Sequence, residues 1–266
     1  MTTAEKFVRP PMSTLRQVLL SFYWFSINLM WGSILIIAMP SQIKAAVGND
    51  TKGSSLGLVL GLGAFISMLA APIFGALSDR IRLPGGRRKP WIVIGTLGTV
   101  ATLFGLATLI QPGQPESLLG WSVVFLLWQF FSNIATAPYS ALIPDLVPLE
   151  QRGSASGWLG LMTMLGTFAG GLTGFMVEPL GIVSVYYVMI AAMLLGGLVT
   201  VVGVAEPDLP REMAPFKMGE FLRSLVDPFH SADFTWVLLT RLLVTMGIFT
   251  VQEFIQYYMA DVIGAP

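Results

Sequence analysis

The sequence predicts an all-α polytopic membrane protein, and three observations carry that prediction. Hydrophobic residues make up 54% of the 266 residues and Asp, Glu, Lys and Arg only 11%, where a soluble domain carries about 25% charged residues. Apolar runs of about 20 residues recur along the chain, the length that crosses a hydrocarbon core of roughly 30 Å. Basic residues collect in alternate connections between those runs, the pattern that sets membrane orientation. A formal net charge of zero gives no footprint for nucleic acid. With no cysteine and the single histidine His230, the chain offers neither thiolates nor a histidine cluster to a metal. No cofactor is expected.

In chain order the spans read as 17–40, 55–78, 91–110, 119–143, 154–178, 182–204 and 235–260. The first is too long for a signal peptide and lacks a small-residue cleavage site, so it reads as a retained span. Residues 1–16 precede it with Lys6, Arg9 and Arg16. Arg80, Arg82, Arg87, Arg88 and Lys89 fill the connection after the second span, Arg152 follows the fourth, and Arg211, Lys217 and Arg223 follow the sixth. The opposite connections hold only Lys44 and Lys52. This bias places the N-terminus in the cytoplasm. Residues 17–204 then form one six-helix bundle, and 205–234 form a charged cytoplasmic linker. In that linker Phe216, Phe221, Leu222 and Leu225 can line one face of a helix lying on the inner leaflet. Residues 235–266 start a second half. The sequence is expected to be the N-terminal part of a longer one.

Two connections carry a family resemblance. Gly75-x-x-x-Asp79-Arg80, followed by Gly86-Arg87-Arg88, stands in the loop after the second span. It resembles the signature loop of the major facilitator superfamily. The usual form has one residue between its two parts; here IRLPG intervenes. That longer form, ending GRRKP-W, looks like the glycoside–pentoside–hexuronide cation symporters and the related sucrose transporters. APYSALIPDLVPLEQRGSASG, residues 137–157, is similar to the matching connection in bacterial members of that group.

The resemblance implies the six-helix N-terminal bundle of a major facilitator fold plus a seventh transmembrane helix. It implies a secondary active transporter moving a small solute, a sugar or glycoside, by alternating access with cation coupling, the cation being a proton. An exporter of small amphiphilic compounds is the alternative, and a non-transporting half-bundle is another if the length is natural. The implied partners are the solute, the coupling cation, the lipid bilayer and C-terminal helices beyond residue 266. The implied location is a bacterial-type inner (plasma) membrane. Opposite charges on neighbouring helix ends, Asp79 and Arg80 against Asp145, Glu150 and Arg152, can pair when the cytoplasmic side closes and part when it opens. The blander reading is that these charges only anchor topology.

Polar side chains inside the membrane usually face the bundle interior or a water-filled cavity. Gln129, Asn133, Thr136 and Ser140 fall on one stripe of the fourth span, and Trp24, Asn28 and Trp31 share a face of the first. Amides bond hydroxyl groups and aromatic faces stack on sugar rings. These residues, with Tyr139, are therefore candidate solute contacts. The competing reading makes the amides interhelical packing glue. On the seventh span Arg241, Thr245, Gln252 and Gln256 share a face, with Glu253 and Tyr257 beside it. Gln252 and Gln256 join the candidate solute site. Glu253 is the candidate coupling carboxylate, since an intramembrane carboxyl can carry a proton or pair with a cation. Arg241 is assigned with it, although it lies near enough to the cytoplasmic end to snorkel. The middle of the first six spans holds no acidic residue, which argues against sodium coupling there.

Other classes fit less well. Gly57, Gly61 and Gly63 lie inside an apolar span with no strand before them, so they do not form a nucleotide loop. Gly166, Gly170, Gly171 and Gly174 read as close helix packing. A seven-helix receptor has its N-terminus outside, and a retinal protein needs a lysine in its last helix; residues 236–260 contain none. No paired nucleophile and base, or pair of aspartates, lies within the spans, so no enzyme activity is expected.

Overall fold

The computed structural model describes residues 11–81, 83–110, 112–204, 219, 223 and 227–263, without the side chains of Pro228, Glu253 and Ala260. Lys6, Arg9, Arg82, Arg211, Lys217 and the expected surface helix with Phe216, Phe221, Leu222 and Leu225 lie outside the described residues. Two compact units divide the chain, Met1–Asp208 and Leu209–Pro266.

In the first unit α1 (Thr14–Gly32) starts at Ser13, whose side chain accepts from the Arg16 backbone N–H at 3.4 Å and so satisfies one of the first-turn donors. A π-helical turn, Ser33–Ala38, carries the helix on into α2 (Met39–Arg80). The stretch Thr14–Arg80 is 67 residues of apolar helix, about 100 Å if straight and far longer than one crossing. Gly48, at φ 74° and ψ −169°, breaks it. Only glycine takes that conformation without steric cost, so one residue turns the chain back and makes two crossings.

The sequence pattern placed a loop from 41 to 54, but helix persists on both sides of Gly48. Hydropathy marks the part of a helix that matches lipid, and backbone hydrogen bonding continues beyond it.

Then follow α3 (Lys89–Leu109), α4 (Ser117–Ser140), the short α5 (Leu142–Leu146), α6 (Arg152–Leu172), α7 (Val177–Leu180) and α8 (Ile182–Gly203). Pro90 sits in the first turn of α3, where its missing N–H costs nothing. In this unit α1 packs on α6 and α8, α3 on α4 and α8, and α2 on α4. Glycines set the closest approaches. A Cβ at Gly166 would lie 2.5 Å from the Phe25 carbonyl oxygen, and one at Gly170 would lie 2.6 Å from that of Leu29. The expected close packing of α6 therefore holds at those two positions, whereas Gly171 faces open space.

The second unit contains a 3-10 turn (Asp227–His230), α9 (Ala232–Tyr258) and a π-helical end (Met259–Ile263). Ser231 caps α9 by accepting from the Phe234 N–H at 3.4 Å. Among the described residues the one β-type pairing is the isolated bridge between Leu83 and Gly86.

Candidate functional site

Two polar constellations stand out in the first unit. The first is at the basic end. There the chain leaves α2 at Arg80 and turns through Gly85 (φ 99°) and Gly86 (φ 137°) before entering α3. Both values lie in the region that favours glycine, which gives Gly86 of the signature a physical reason. The turn delivers two arginines to one carboxylate. Arg87 donates to Asp145 Oδ2, and Arg88 Nε donates to the same oxygen at 2.6 Å.

Arg88 Nη2 also donates to Asp79 Oδ1 at 2.8 Å. Arg88 thus links the end of α2 to α5, and it is only 4% exposed. The side chains of Asp145 and Asp79 are 24% and 51% exposed. The remaining predicted charges play other parts. Arg152 Nη2 donates to the Pro144 carbonyl at 3.1 Å, closing the end of α5. Glu150 is exposed on the 3-10 turn Leu149–Gln151, and Arg80 is exposed where α2 ends. Gly75 has room for a Cβ on its helix.

The second constellation is a polar and aromatic seam where α1, α2, α4 and α6 meet. Gln129 Nε2 and Asn133 Nδ2 both donate to Ser67 Oγ of α2, at 2.6 and 2.9 Å. Asn133 Nδ2 also reaches the Gln129 carbonyl at 2.8 Å. These contacts match the packing-glue alternative for the amide nitrogens. Asn28 Nδ2 turns back to the Trp24 carbonyl at 2.7 Å, so it does not extend the Gln129–Asn133 pair through that atom. Trp24 Nε1 donates to Thr163 Oγ1 of α6 at 2.8 Å.

The rings lie close together. Trp24 stacks on Tyr139 with centroids 5.9 Å apart, and Trp31 meets Trp128 edge-on at 4.8 Å. Tyr139 is fixed by its hydroxyl, which donates to the Leu20 carbonyl at 2.6 Å. Gln129 Oε1 and Trp128 Nε1 are buried and bonded to no group among the described residues, leaving an acceptor and a donor on neighbouring residues of α4.

Ser67, Trp128 and Thr163 were not singled out by the sequence pattern. A lone serine in an apolar run makes no stripe, and only the amides opposite it reveal its role. Arg241, Gln252 and Gln256 lie on α9 of the second unit, with Arg241 exposed. Glu253 is on the same helix, but its side chain lies outside the described residues. Among the described residues no group of His, Cys, Asp and Glu is arranged to hold a metal ion.

Comparison with known proteins gives this geometry a family. Residues 50–266 match the family described as MFS/sugar transport protein. The chain belongs to that family. It is an all-α integral membrane protein of the MFS. Relatives include the multi-drug resistance efflux pump PmrA of Streptococcus pneumoniae, 26% identical over 198 residues, covering 70% of this chain and 45% of the pump. The lactose permease of Lactobacillus helveticus is 27% identical over 142 residues, 51% of this chain and 21% of the permease. The sucrose transport protein SUC4 of Arabidopsis thaliana is 22% identical over 186 residues, 65% of this chain and 36% of that protein. The chain therefore spans less than half the length of these three relatives. A crystal structure of the peptide transporter POT with sulfate overlays 96% of this chain and 53% of its own, with TM-score 0.52 and 19% identity. That likeness shows the fold. These relatives are named as transporters, none as an enzyme.

Proposed function

We propose that this MFS chain is the N-terminal part of a secondary active transporter, with its N-terminus cytoplasmic, that moves a sugar or glycoside by alternating access. The observation that carries the solute site is the seam on α1 and α4. Partly exposed Trp24, Asn28, Trp31 and Asn133 accompany buried Gln129, whose side-chain Oε1 is unsatisfied. A buried acceptor without a partner is costly, and a sugar hydroxyl would satisfy it while its ring face rests on an indole. Gln252, Gln256, Arg241 and Glu253 of α9 are the polar candidates of the second unit. Glu253 is the proton-coupling group.

The basic-end cluster is the cytoplasmic gate. Asp79 is half exposed, so its bond to Arg88 exchanges with water at modest cost, as a contact that opens and closes each cycle requires.

The test is uptake of radiolabelled lactose, sucrose and maltose into proteoliposomes holding the full-length protein. Gln129→Leu is expected to reduce uptake at least about tenfold, the equivalent of one lost hydrogen bond to a polar substrate. Asp79→Asn is expected to impair uptake while membrane insertion stays intact. Normal uptake by Asp79→Asn removes the gate, and normal uptake by Gln129→Leu removes the solute site. Glu253→Gln is expected to abolish proton-driven accumulation but leave exchange down a sugar gradient.

A second reading is export of small amphiphiles. It is favoured by the efflux pump's coverage of 70% of this chain against 51% for the lactose permease. Proton-driven extrusion of ethidium from the same vesicles, with no sugar uptake, would select it.

A further inference from the structure

Beside Gln129 the seam holds a second buried group whose chemistry asks for a ligand. A column of rings runs along α4. Trp121 stacks on Phe125 with centroids 5.6 Å apart, Phe125 tilts against Trp128 at 5.3 Å, and Trp31 of α1 closes the column on Trp128. Trp121 and Trp128 are both fully buried. Trp121 Nε1 has two acceptors, Gln42 Oε1 and the Leu106 carbonyl. Trp128 Nε1 has none among the described residues. A buried indole N–H usually finds a partner. Unlike a hydroxyl, it cannot rotate toward a nearby carbonyl without moving the whole ring.

That ring is approached from one side. Phe125 is buried and fills the space over Gly63, where a Cβ would lie 2.7 Å from its ring. Trp31 is partly exposed, so of the two rings flanking Trp128 it is the one that can turn aside. Gln129, the next residue, carries the buried acceptor Oε1 that also has no partner among the described residues. Consecutive helical side chains diverge by about 100°, so the donor and the acceptor call for different atoms of a ligand.

We infer that Trp128 Nε1 is a solute-orienting donor. Behind Trp31 it binds an oxygen of a neutral polyhydroxylated solute, while Gln129 Oε1 accepts from another hydroxyl of the same molecule. This rests on the sugar-transport reading and adds a specificity determinant to it. A hydroxyl both donates and accepts, whereas a protonated amine only donates. A neutral sugar matches the pair. An organic cation leaves Trp128 unpaired, and a site with a buried polar group left unpaired rejects that ligand.

Replacing Trp128 with benzothienylalanine in the full-length protein keeps both fused rings and removes the N–H alone. Uptake of lactose, sucrose and maltose into proteoliposomes gives KM and kcat, and thermal unfolding in detergent without sugar gives a midpoint. The KM of the transported sugar is expected to rise roughly fivefold, the size of one neutral hydrogen bond, with kcat kept. The sugar-free midpoint is expected to be unchanged or higher, because the variant no longer buries an unpaired donor. A lower midpoint means that a group present without sugar, such as a bound water, already takes the N–H, and it overturns the inference. An unchanged KM with sugar uptake intact also overturns it and leaves the sugar-transport reading standing. Wild type that takes up none of the three sugars removes that reading and the Trp128 subsite with it.

Discussion

The two ends of the first unit are fastened by different chemistry. Away from the basic end, Gln42 of α2 is the hub of a neutral network. Its Oε1 accepts from Trp121 Nε1 of α4 at 3.0 Å and from the Tyr186 hydroxyl of α8. Its Nε2 donates to the Leu106 carbonyl of α3 at 3.2 Å. Gln42 is 4% exposed, and both aromatic partners are fully buried. At the basic end the fasteners are Arg87 and Arg88 on Asp145 and Asp79, whose carboxylates water can reach. A buried neutral network has no solvent to exchange with, so opening it leaves unpaired groups in a low-dielectric interior. Half-exposed carboxylates can trade an arginine for water. One end is sealed from solvent, the other is open to it.

Substitutions can break this contrast, in decreasing order of effect. Asp145→Ala should cost most, about 3 kcal/mol, because it strips the carboxylate shared by two arginines from the nearly buried Arg88. Denaturant unfolding of the detergent-solubilised protein measures it, and a loss under about 1 kcal/mol would make the cluster ornamental. Gln42→Leu should cost about 2 kcal/mol, since the Tyr186 hydroxyl loses its acceptor while Trp121 Nε1 keeps the Leu106 carbonyl. Tyr186→Phe should cost about 1 kcal/mol and be nearly silent in the Gln42→Leu background, a coupling that a double-mutant cycle reads directly. Asp79→Asn should cost least, below about 1 kcal/mol. Raising salt toward 1 M should shrink that loss further, with the Debye length falling to about 3 Å. Salt should leave the Gln42→Leu loss unchanged; if the two respond alike, the contrast is wrong.

The same contrast explains what the sequence could disclose. Charge is scarce in this chain, so Asp79, Arg87, Arg88 and Asp145 stand out in the sequence as helix-end residues. Which arginine meets which carboxylate is not legible there, because it depends on the Gly85–Gly86 turn carrying residues 87 and 88 back across the bundle end. Gln42 stays hidden for a different reason. The apolar run ends near residue 40, so a glutamine just past it reads as loop, although its helix continues to Gly48. In the seam, periodicity puts Gln129 and Asn133 on one face correctly, yet their shared acceptor Ser67 lies on another helix, and pairing between helices is not written in either helix alone. The ring contacts of Trp24 with Tyr139 and of Trp31 with Trp128 likewise join two helices and are written in neither alone.

Gly48 has a practical consequence. Residues 14–47 make about 50 Å of helix, more than the about 40–45 Å of a bilayer with its headgroups. That length suffices to carry the hairpin tip clear of the headgroups, and Gly48, Asn49, Asp50 and Thr51 there are exposed. Exposed tips of small polar residues tolerate insertions best. A short epitope between Asn49 and Asp50 would serve as a handle, and antibody staining of intact cells would then report directly which side of the membrane that tip occupies.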